Sequence, residues 1–189
     1  MKYNYKIKKV AFIGMGLINS SLARDLKLHS FYSTASAYSR RLSTVNKVKK
    51  LKLVDYASVK IDKVITDADL IIIGIPVAAY EGIFKKIYGY IKPGTIITDV
   101  GSVKKEVINK VSKFIPKNVS FVPGHPIAGT ENSGPESGFS GLFKKGWCII
   151  TPNKKVNKKS INIIKTMWEL VGMKVDVMDA KYHDEVLAI

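Results

Sequence analysis

The chain has 189 residues, 46% hydrophobic and 24% charged, a length that suits one domain with its own core and excludes a disordered or repeat architecture. Its longest apolar stretch, around Leu70–Tyr80, falls far short of the ~20 residues that a membrane-spanning helix needs. The formal net charge of +16 is carried mostly by lysines scattered from Lys2 to Lys181, with arginine only at Arg24, Arg40 and Arg41; this reads as a solvated surface that attracts small anions, not as a nucleic-acid face.

At the amino end, Lys2, Lys6, Lys8 and Lys9 ahead of Val10–Ile18 imitate a secretory signal. Two glycines interrupt the apolar part, however, and no small-residue cleavage pattern follows. The single cysteine, Cys148, cannot form an internal disulfide, and the expected location is cytoplasmic. Val10–Ile13 instead reads as a strand that ends at Gly14-Met15-Gly16. Ile18, Leu22 and Leu26 then recur every four residues while Arg24, Asp25 and Lys27 fall elsewhere, the pattern of an amphipathic helix. A strand turning into a helix over Gly-x-Gly is how a dinucleotide fold cradles pyrophosphate. Gly14 permits the turn, Gly16 lets the backbone approach the phosphates, and Leu17 and Ile18 open a helix whose first N–H groups are free. Asn19 stands where a third glycine would let the helix pack close to the strand, so it should push the helix outward or turn its side chain aside. By itself the pattern also fits an ordinary glycine turn.

Ser33–Ser39 reads as a second strand, and Arg40 and Arg41 lead a lysine-rich helix to about Lys52. An acidic residue at the end of that strand would bind a ribose 2′-hydroxyl, whereas arginine accommodates a 2′-phosphate. Ser39-Arg40-Arg41 therefore favours NADP, or use of both NAD and NADP, unless the two arginines merely open the helix. Leu70–Ile75 is a continuous apolar run of the kind buried on both faces of a sheet, ending at Gly74-Ile75-Pro76-Val77. Ile83, Phe84, Ile87 and Ile91 give the next helical face. Thr95–Thr98 gives a strand, followed by Asp99-Val100-Gly101-Ser102 and by a stripe of Val103, Val107, Val111 and Phe114 with Ser102 as its N-cap. Val119–Val122 is a further strand. This alternation predicts an α/β fold with a doubly wound, mostly parallel sheet. Ligands then bind beyond the strands' carboxyl ends, where Gly14, Ser39, Ile75, Pro76, Gly101, Ser102 and His125 fall. Residues 123–146, rich in glycine and proline, read as a long functional loop docked through Phe139, Leu142 and Phe143. Trp147–Thr151 is then a strand, Val156–Val171 a helix, Met173–Val177 a last strand and Ala180–Ile189 the start of a final helix.

Of the three histidines, His29 reads as a surface residue closing the first helix, and His183 as either exposed or packed against a missing partner. His125 follows a strand and sits between Gly124 and Pro126, a backbone poorly suited to regular structure. It is either a structural histidine or a general base, since imidazole titrates near neutrality. Ser102 is either a helix cap or a hydroxyl that holds the imidazole or the substrate. Glu131 is a solvated loop carboxylate or a positioning group. No cluster has metal-ligand spacing, and no metal is expected.

Taken together, VAFIGMGLINSSLARDLK, DADLIIIGIPV, IITDVGSVK, FVPGHPIAGTENSGPESGF and the closing HDEVLA resemble the prephenate/arogenate (cyclohexadienyl) dehydrogenase family, over nearly the whole chain and in the right order. The resemblance implies NAD(P)-dependent oxidative decarboxylation of a cyclohexadienol to 4-hydroxyphenylpyruvate or tyrosine, a step of tyrosine biosynthesis. It implies that His125 accepts the ring-hydroxyl proton, that Ser102 bridges histidine, substrate and cofactor, and that Glu131 orders the pocket. It further implies a Rossmann-type domain over residues 1–178 and, from 179 to 189, the start of a linker to an absent helical dimerisation domain, with a homodimer as the complete assembly. Two residues depart from the family pattern: Asn19 and Ser20 replace glycines. The alternatives are a non-catalytic NAD(P)-sensing module and a β-hydroxyacid dehydrogenase.

Overall fold

The computed structural model describes residues 7–187; Lys2 and Lys6 of the signal-like stretch and the last two residues of the expected final helix lie outside them. Six strands, β1 (Ile7–Ile13), β2 (Tyr32–Tyr38), β3 (Tyr56–Ser58), β4 (Leu70–Ile73), β5 (Ile96–Asp99) and β6 (Ser120–Val122), form one sheet in the order β3-β2-β1-β4-β5-β6. Every neighbouring pair in it is parallel. The order reverses direction between β1 and β4, so the chain leaves a crevice beyond their carboxyl ends, as in Rossmann-type sheets.

The alternation of side chains explains why both faces are covered. Val10 and Phe12 of β1 and Leu70 and Ile72 of β4 pack on one face, with Leu22, Ala23 and Leu26 of α1 (Leu17–Leu28) and Val45 and Val48 of α2 (Leu42–Lys50). Ala11, Ile13, Ile71 and Ile73 point the other way. They meet Val64 and Ile65 of α3 (Ile61–Ile65), Tyr80, Phe84 and Ile87 of α4 (Tyr80–Ile87), and Val107 and Val111 of α5 (Lys105–Val111). Strands buried on both faces need continuous apolar runs, which is what Leu70–Ile73 supplies. Between Lys52 and Asp67 the structure adds β3 and α3. Three and five residues are too few to display a period, and sequence pattern did not reveal them.

The larger correction concerns the carboxyl-terminal third. β7 (Gly124–Ile127), β8 (Trp147–Ile150) and β9 (Lys174–Val177) do not extend the parallel sheet. They form a separate three-stranded sheet in the order β7-β8-β9, with β7 antiparallel to β8 and β9 parallel to it. The expected loop thus begins with a strand, and His125 lies in regular structure after all. Pro126 is tolerated because β7 is an edge strand whose other side demands no ladder hydrogen bond. α6 (Lys158–Leu170) drives Ile163, Ile164, Met167 and Trp168 into the same cluster as Phe143, Cys148 and Ile150. The remainder of the loop docks on α1: Phe139 donates its N–H to Ser21 Oγ at 3.1 Å, and Ser140 and Gly141 donate to the buried carboxylate of Asp25. Phe143 is fully buried against Trp168, ring centroids 5.4 Å apart. Phe139, expected to dock, is instead exposed. α7 (Ala180–Val186) closes the described chain, capped by Asp179. Among the described residues no helix is long and apolar enough to cross a membrane.

Candidate active site

The turn after β1 is built by backbone. Gly14 has φ +84°, and a Cβ there would lie 2.4 Å from the carbonyl oxygen of Gly74, so only glycine fits. Its N–H donates to the Tyr38 carbonyl at 2.9 Å, locking β1 to β2. Gly16 is the N-cap of α1, and a Cβ built on it would meet nothing within 4 Å. The 12-residue helix behind it has no side-chain cap and no acidic residue in its first turn. Free amides, a favourable dipole and clear space fit the pyrophosphate of the expected dinucleotide. Leu17 is buried and Ile18 half-buried at the start of that helix.

Asn19 turns its side chain into the glycine turn, not aside. It is buried, and its Nδ2 donates to the Gly14 carbonyl at 2.7 Å. Room comes from the opposite wall, where a Cβ on Gly74 would fall 2.5 Å from Asn19 Nδ2. Ser20 is matched in the same way by Gly138, whose Cβ would fall 2.6 Å from that of Ser20. The two departures from the glycine pattern are therefore compensated by glycines elsewhere.

Around this turn lie the other expected cofactor residues. Ile75 is half-buried against Gly14, and exposed Pro76 begins a short helical turn at Val77–Ala79. Ser39 is half-buried at the end of β2, while Arg40 and Arg41 are exposed beside it. Gly101 serves a second structure: its N–H donates to Asp99 Oδ2 at 2.9 Å, and a Cβ there would crowd that oxygen.

Asp99, fully buried at the end of β5, organises the neighbourhood of His125. Its Oδ2 accepts from Tyr80 Oη (3.0 Å) and from Lys104 Nζ (2.7 Å), and its Oδ1 accepts from the Gly124 N–H (3.1 Å). Lys104 Nζ also donates to the Gly124 carbonyl at 2.7 Å. The residue before His125 is thus gripped at both of its backbone polar groups by one buried ion pair. Burial beside the Asp99 carboxylate pushes the Tyr80 phenol far above its usual range, so it stays a donor.

His125 itself is half-buried. Its Nδ1 lies 3.0 Å from Nε2 of His183, whose Nδ1 lies 2.7 Å from Asp184 Oδ1. His183 is fully buried, neither exposed nor waiting for a partner. Burial, then His183 and the charge of Lys104, push His125 down to about 4, leaving a neutral imidazole at physiological pH. Asp184 also corrects the reading of Ser102. The backbone N–H groups of Lys104 and Lys105 donate to Asp184 Oδ1 and Oδ2, both at 2.8 Å, so a carboxylate from α7 caps α5. Ser102 is exposed on the loop before α5, facing a cleft shared with Glu81, Lys105, Asp184 and Leu187, and makes no bond to His125. Glu131 is exposed beyond β7 and outside this network, and His29 is an exposed helix end. Asp99, Lys104, Tyr80, His183 and Asp184 were given no role from sequence. The five-residue step from Asp99 to Lys104 matches no period, and the partners of His125 lie about 58 residues away in the chain.

A cavity of about 810 Å³ opens at the other edge of the sheet, between Ile7, Asp69, Ile96 and Ser120. These are amino ends of strands or residues just before them, so this cavity lies at the end of the sheet opposite to Gly14 and His125.

Comparison with known proteins identifies the family of the chain. Residues 22–177 match the family described as prephenate dehydrogenase, nucleotide-binding domain. The chain is 36% identical over 182 residues to the cyclohexadienyl dehydrogenase of Zymomonas mobilis, covering 96% of this chain and 62% of that protein. It is 30% identical to the prephenate dehydrogenase of Lactococcus lactis, covering 95% of this chain and 49% of that one. Its fold superposes on prephenate dehydrogenase from Aquifex aeolicus, solved with hydroxyphenyl propionate and NAD+, with a TM-score of 0.91 and 29% identity over 99% of this chain and 65% of that one. The chain thus spans half to two thirds of the length of these relatives, and it belongs to the family of prephenate dehydrogenase nucleotide-binding domains.

Proposed function

We propose that this chain is the nucleotide-binding part of an NAD(P)-dependent dehydrogenase that oxidatively decarboxylates prephenate or arogenate. The observation that carries the reading is His125: a neutral, half-buried imidazole at the carboxyl edge of the sheet, in a segment shared with that family and next to a backbone cradle shaped for pyrophosphate. When bound there, the dinucleotide supplies the acceptor for the hydride leaving the ring's carbinol carbon. His125 takes the proton of the ring hydroxyl as the carbinol becomes a carbonyl. The bond to the ring carboxylate breaks and carbon dioxide departs, and the released electron pair aromatises the ring, turning the carbonyl into a phenolate that takes a proton to become the phenol. Aromatisation makes the step strongly downhill, so one well-placed base suffices. Ser102, exposed at the same edge, contacts the substrate hydroxyl, and Glu131 orders the pocket from the loop beyond β7. Residues 1–178 form the dinucleotide-binding domain, and α7 leads toward a helical dimerisation domain that supplies the cations for the substrate's carboxylates. Arg40 and Arg41 favour NADP.

Two measurements test this. Calorimetric titration of the chain is expected to give heat with both dinucleotides and tighter binding of NADP+. No heat with either at millimolar concentration overturns the cofactor assignment, and a preference for NAD+ frees the two arginines of their role. In the complete dehydrogenase, His125→Asn is expected to lower turnover about 10²–10⁴-fold with dinucleotide affinity unchanged. Near-wild-type turnover assigns His125 to structure.

A further inference from the structure

The two histidines and Asp184 form a continuous line. Asp184 Oδ1, His183 Nδ1, His183 Nε2 and His125 Nδ1 follow one another at 2.7 Å, across one ring, and at 3.0 Å. The imidazoles meet edge to face, with centroids 5.1 Å apart and planes at 67°. Burial pushes Asp184 up, but the N–H groups of Lys104 and Lys105 and the bond to His183 outweigh it and hold the carboxyl below its usual range. Asp184 is therefore an ionised carboxylate, which only accepts.

With both imidazoles neutral, that fixes every proton along the line. An acceptor at Oδ1 requires the hydrogen of His183 to sit on Nδ1. A neutral imidazole carries one N–H, so Nε2 of His183 is bare and must itself accept. The donor to it is the Nδ1–H of His125, and Nε2 of His125 is left with the lone pair. We infer that Asp184 and His183 are positioning residues that select, through two imidazoles, the tautomer of His125 whose basic nitrogen is Nε2. This deepens the reading of His125 as the proton acceptor and rests on it.

The arrangement also answers what happens when that nitrogen is protonated. The new charge lies on a ring whose Nδ1–H already points at His183, so the bond becomes charge-assisted and the dipole chain ends on the Asp184 carboxylate. Lys104 Nζ faces the site from the loop before α5 and opposes the charge, but both Asp99 and the Gly124 carbonyl engage it. The thiol of Cys148 on β8, opposite Pro126 in the ladder, is pushed up by burial and brings no charge. Without His183, nothing on this line distinguishes the two nitrogens of His125. With a misplaced proton, Nε2 would be a donor and useless as a base; loss of the correct tautomer in a comparable histidine site costs about 10⁴-fold in kcat.

The chain has three histidines, one of them the exposed His29, so ring ¹⁵N resonances of the ¹⁵N-histidine-labelled chain can be assigned with His29→Gln and His125→Gln alone. At neutral pH the expected result is a protonated Nδ1 and bare Nε2 on both His125 and His183. His183→Phe is expected to shift His125 toward the Nε2–H form. In the complete dehydrogenase the same variant, and Asp184→Asn, should lower kcat at least tenfold while leaving the KM for dinucleotide within twofold. An Nε2–H tautomer on His125, or a doubly protonated His183, in the unmutated chain overturns the inference. If the tautomers are as expected but His125→Asn keeps its turnover, the selection stands as structure and the base assignment falls.

Discussion

The two halves of the site meet at one sheet edge but are made of different material. After β1 the cradle is backbone: Gly14 at φ +84°, Gly16 beneath open space, and the uncapped start of α1. Its parts lie within a few residues of one another. After β5 and β7 the site is side chain: Asp99, Lys104, Tyr80 and the His183–Asp184 pair come from four separate stretches of the chain and converge, nearly all buried, on Gly124 and His125. A backbone site is carried by local sequence and depends on the absence of atoms. A side-chain site depends on polar groups finding one another across the fold, and each lost partner leaves a buried group unpaired.

The sharpest test of that contrast is the ion pair. Lys104→Met removes the amine while keeping length, leaving the Asp99 carboxylate buried with only Tyr80 Oη and two N–H groups. Breaking such a pair from one side costs about 3–5 kcal/mol, which denaturant unfolding should show. Asp99→Asn combined with Lys104→Met should recover part of this, because no uncompensated charge remains. Equal loss in both variants would mean that the pair is not the organising feature.

The cradle should respond in the opposite manner, through added atoms. Gly14→Ala meets both an unfavourable φ and a backbone carbonyl at 2.4 Å, and is expected to cost about 3 kcal/mol from strain and overpacking. Gly16→Ala has nothing within 4 Å and should cost about 1 kcal/mol or less, as an N-cap change. It nevertheless puts a methyl where phosphate would lie, so thermal melts and dinucleotide titrations should separate the two: Gly14→Ala loses both, and Gly16→Ala loses mainly binding. If Gly16→Ala binds NADP+ as tightly as the unmutated chain, the phosphates lie elsewhere.

The same contrast explains how much was legible in the sequence. The parallel sheet could be read because β1, β4 and β5 announce themselves as apolar runs followed by turn residues, and the cradle because its glycines are contiguous. Of the second sheet, β8 and β9 could be read as strands but β7 could not, since Gly124-His125-Pro126 looks like loop chemistry until β8 is seen beside it as a partner. Asn19 looked like a fault in the glycine pattern because its compensation, Gly74, stands 55 residues away in another strand's turn. Ser102 looked like the cap of α5 because serine after a strand usually is one. The true cap, Asp184, is supplied from 79 to 80 residues downstream. His125 was singled out, but its partners were not.

The mildest perturbation is pH, and it probes the side-chain region alone. The folded protein resists protonation of His125 down to about 4, whereas the unfolded chain takes that proton near pH 6.5. Between these values protons bind preferentially to the unfolded chain, so stability falls as pH drops from about 6.5 to about 4, and His125 contributes no slope above that window. Asp184 acts lower: its carboxyl is held down in the fold, so its contribution is lost only as pH falls below the ordinary carboxylate range, about 4. The two are therefore separable. His125→Gln should flatten the stability profile between pH 6.5 and 4 and leave the fall below pH 4 in place. Because the ring is only half-buried, solvent screens it and the difference should be smaller than that of any variant above. Urea unfolding at pH 7, 5.5 and 4.5 measures it. Parallel profiles for the two proteins across that range would show that His125 titrates normally in the fold, and that the neutral imidazole required at this edge is not enforced by its surroundings.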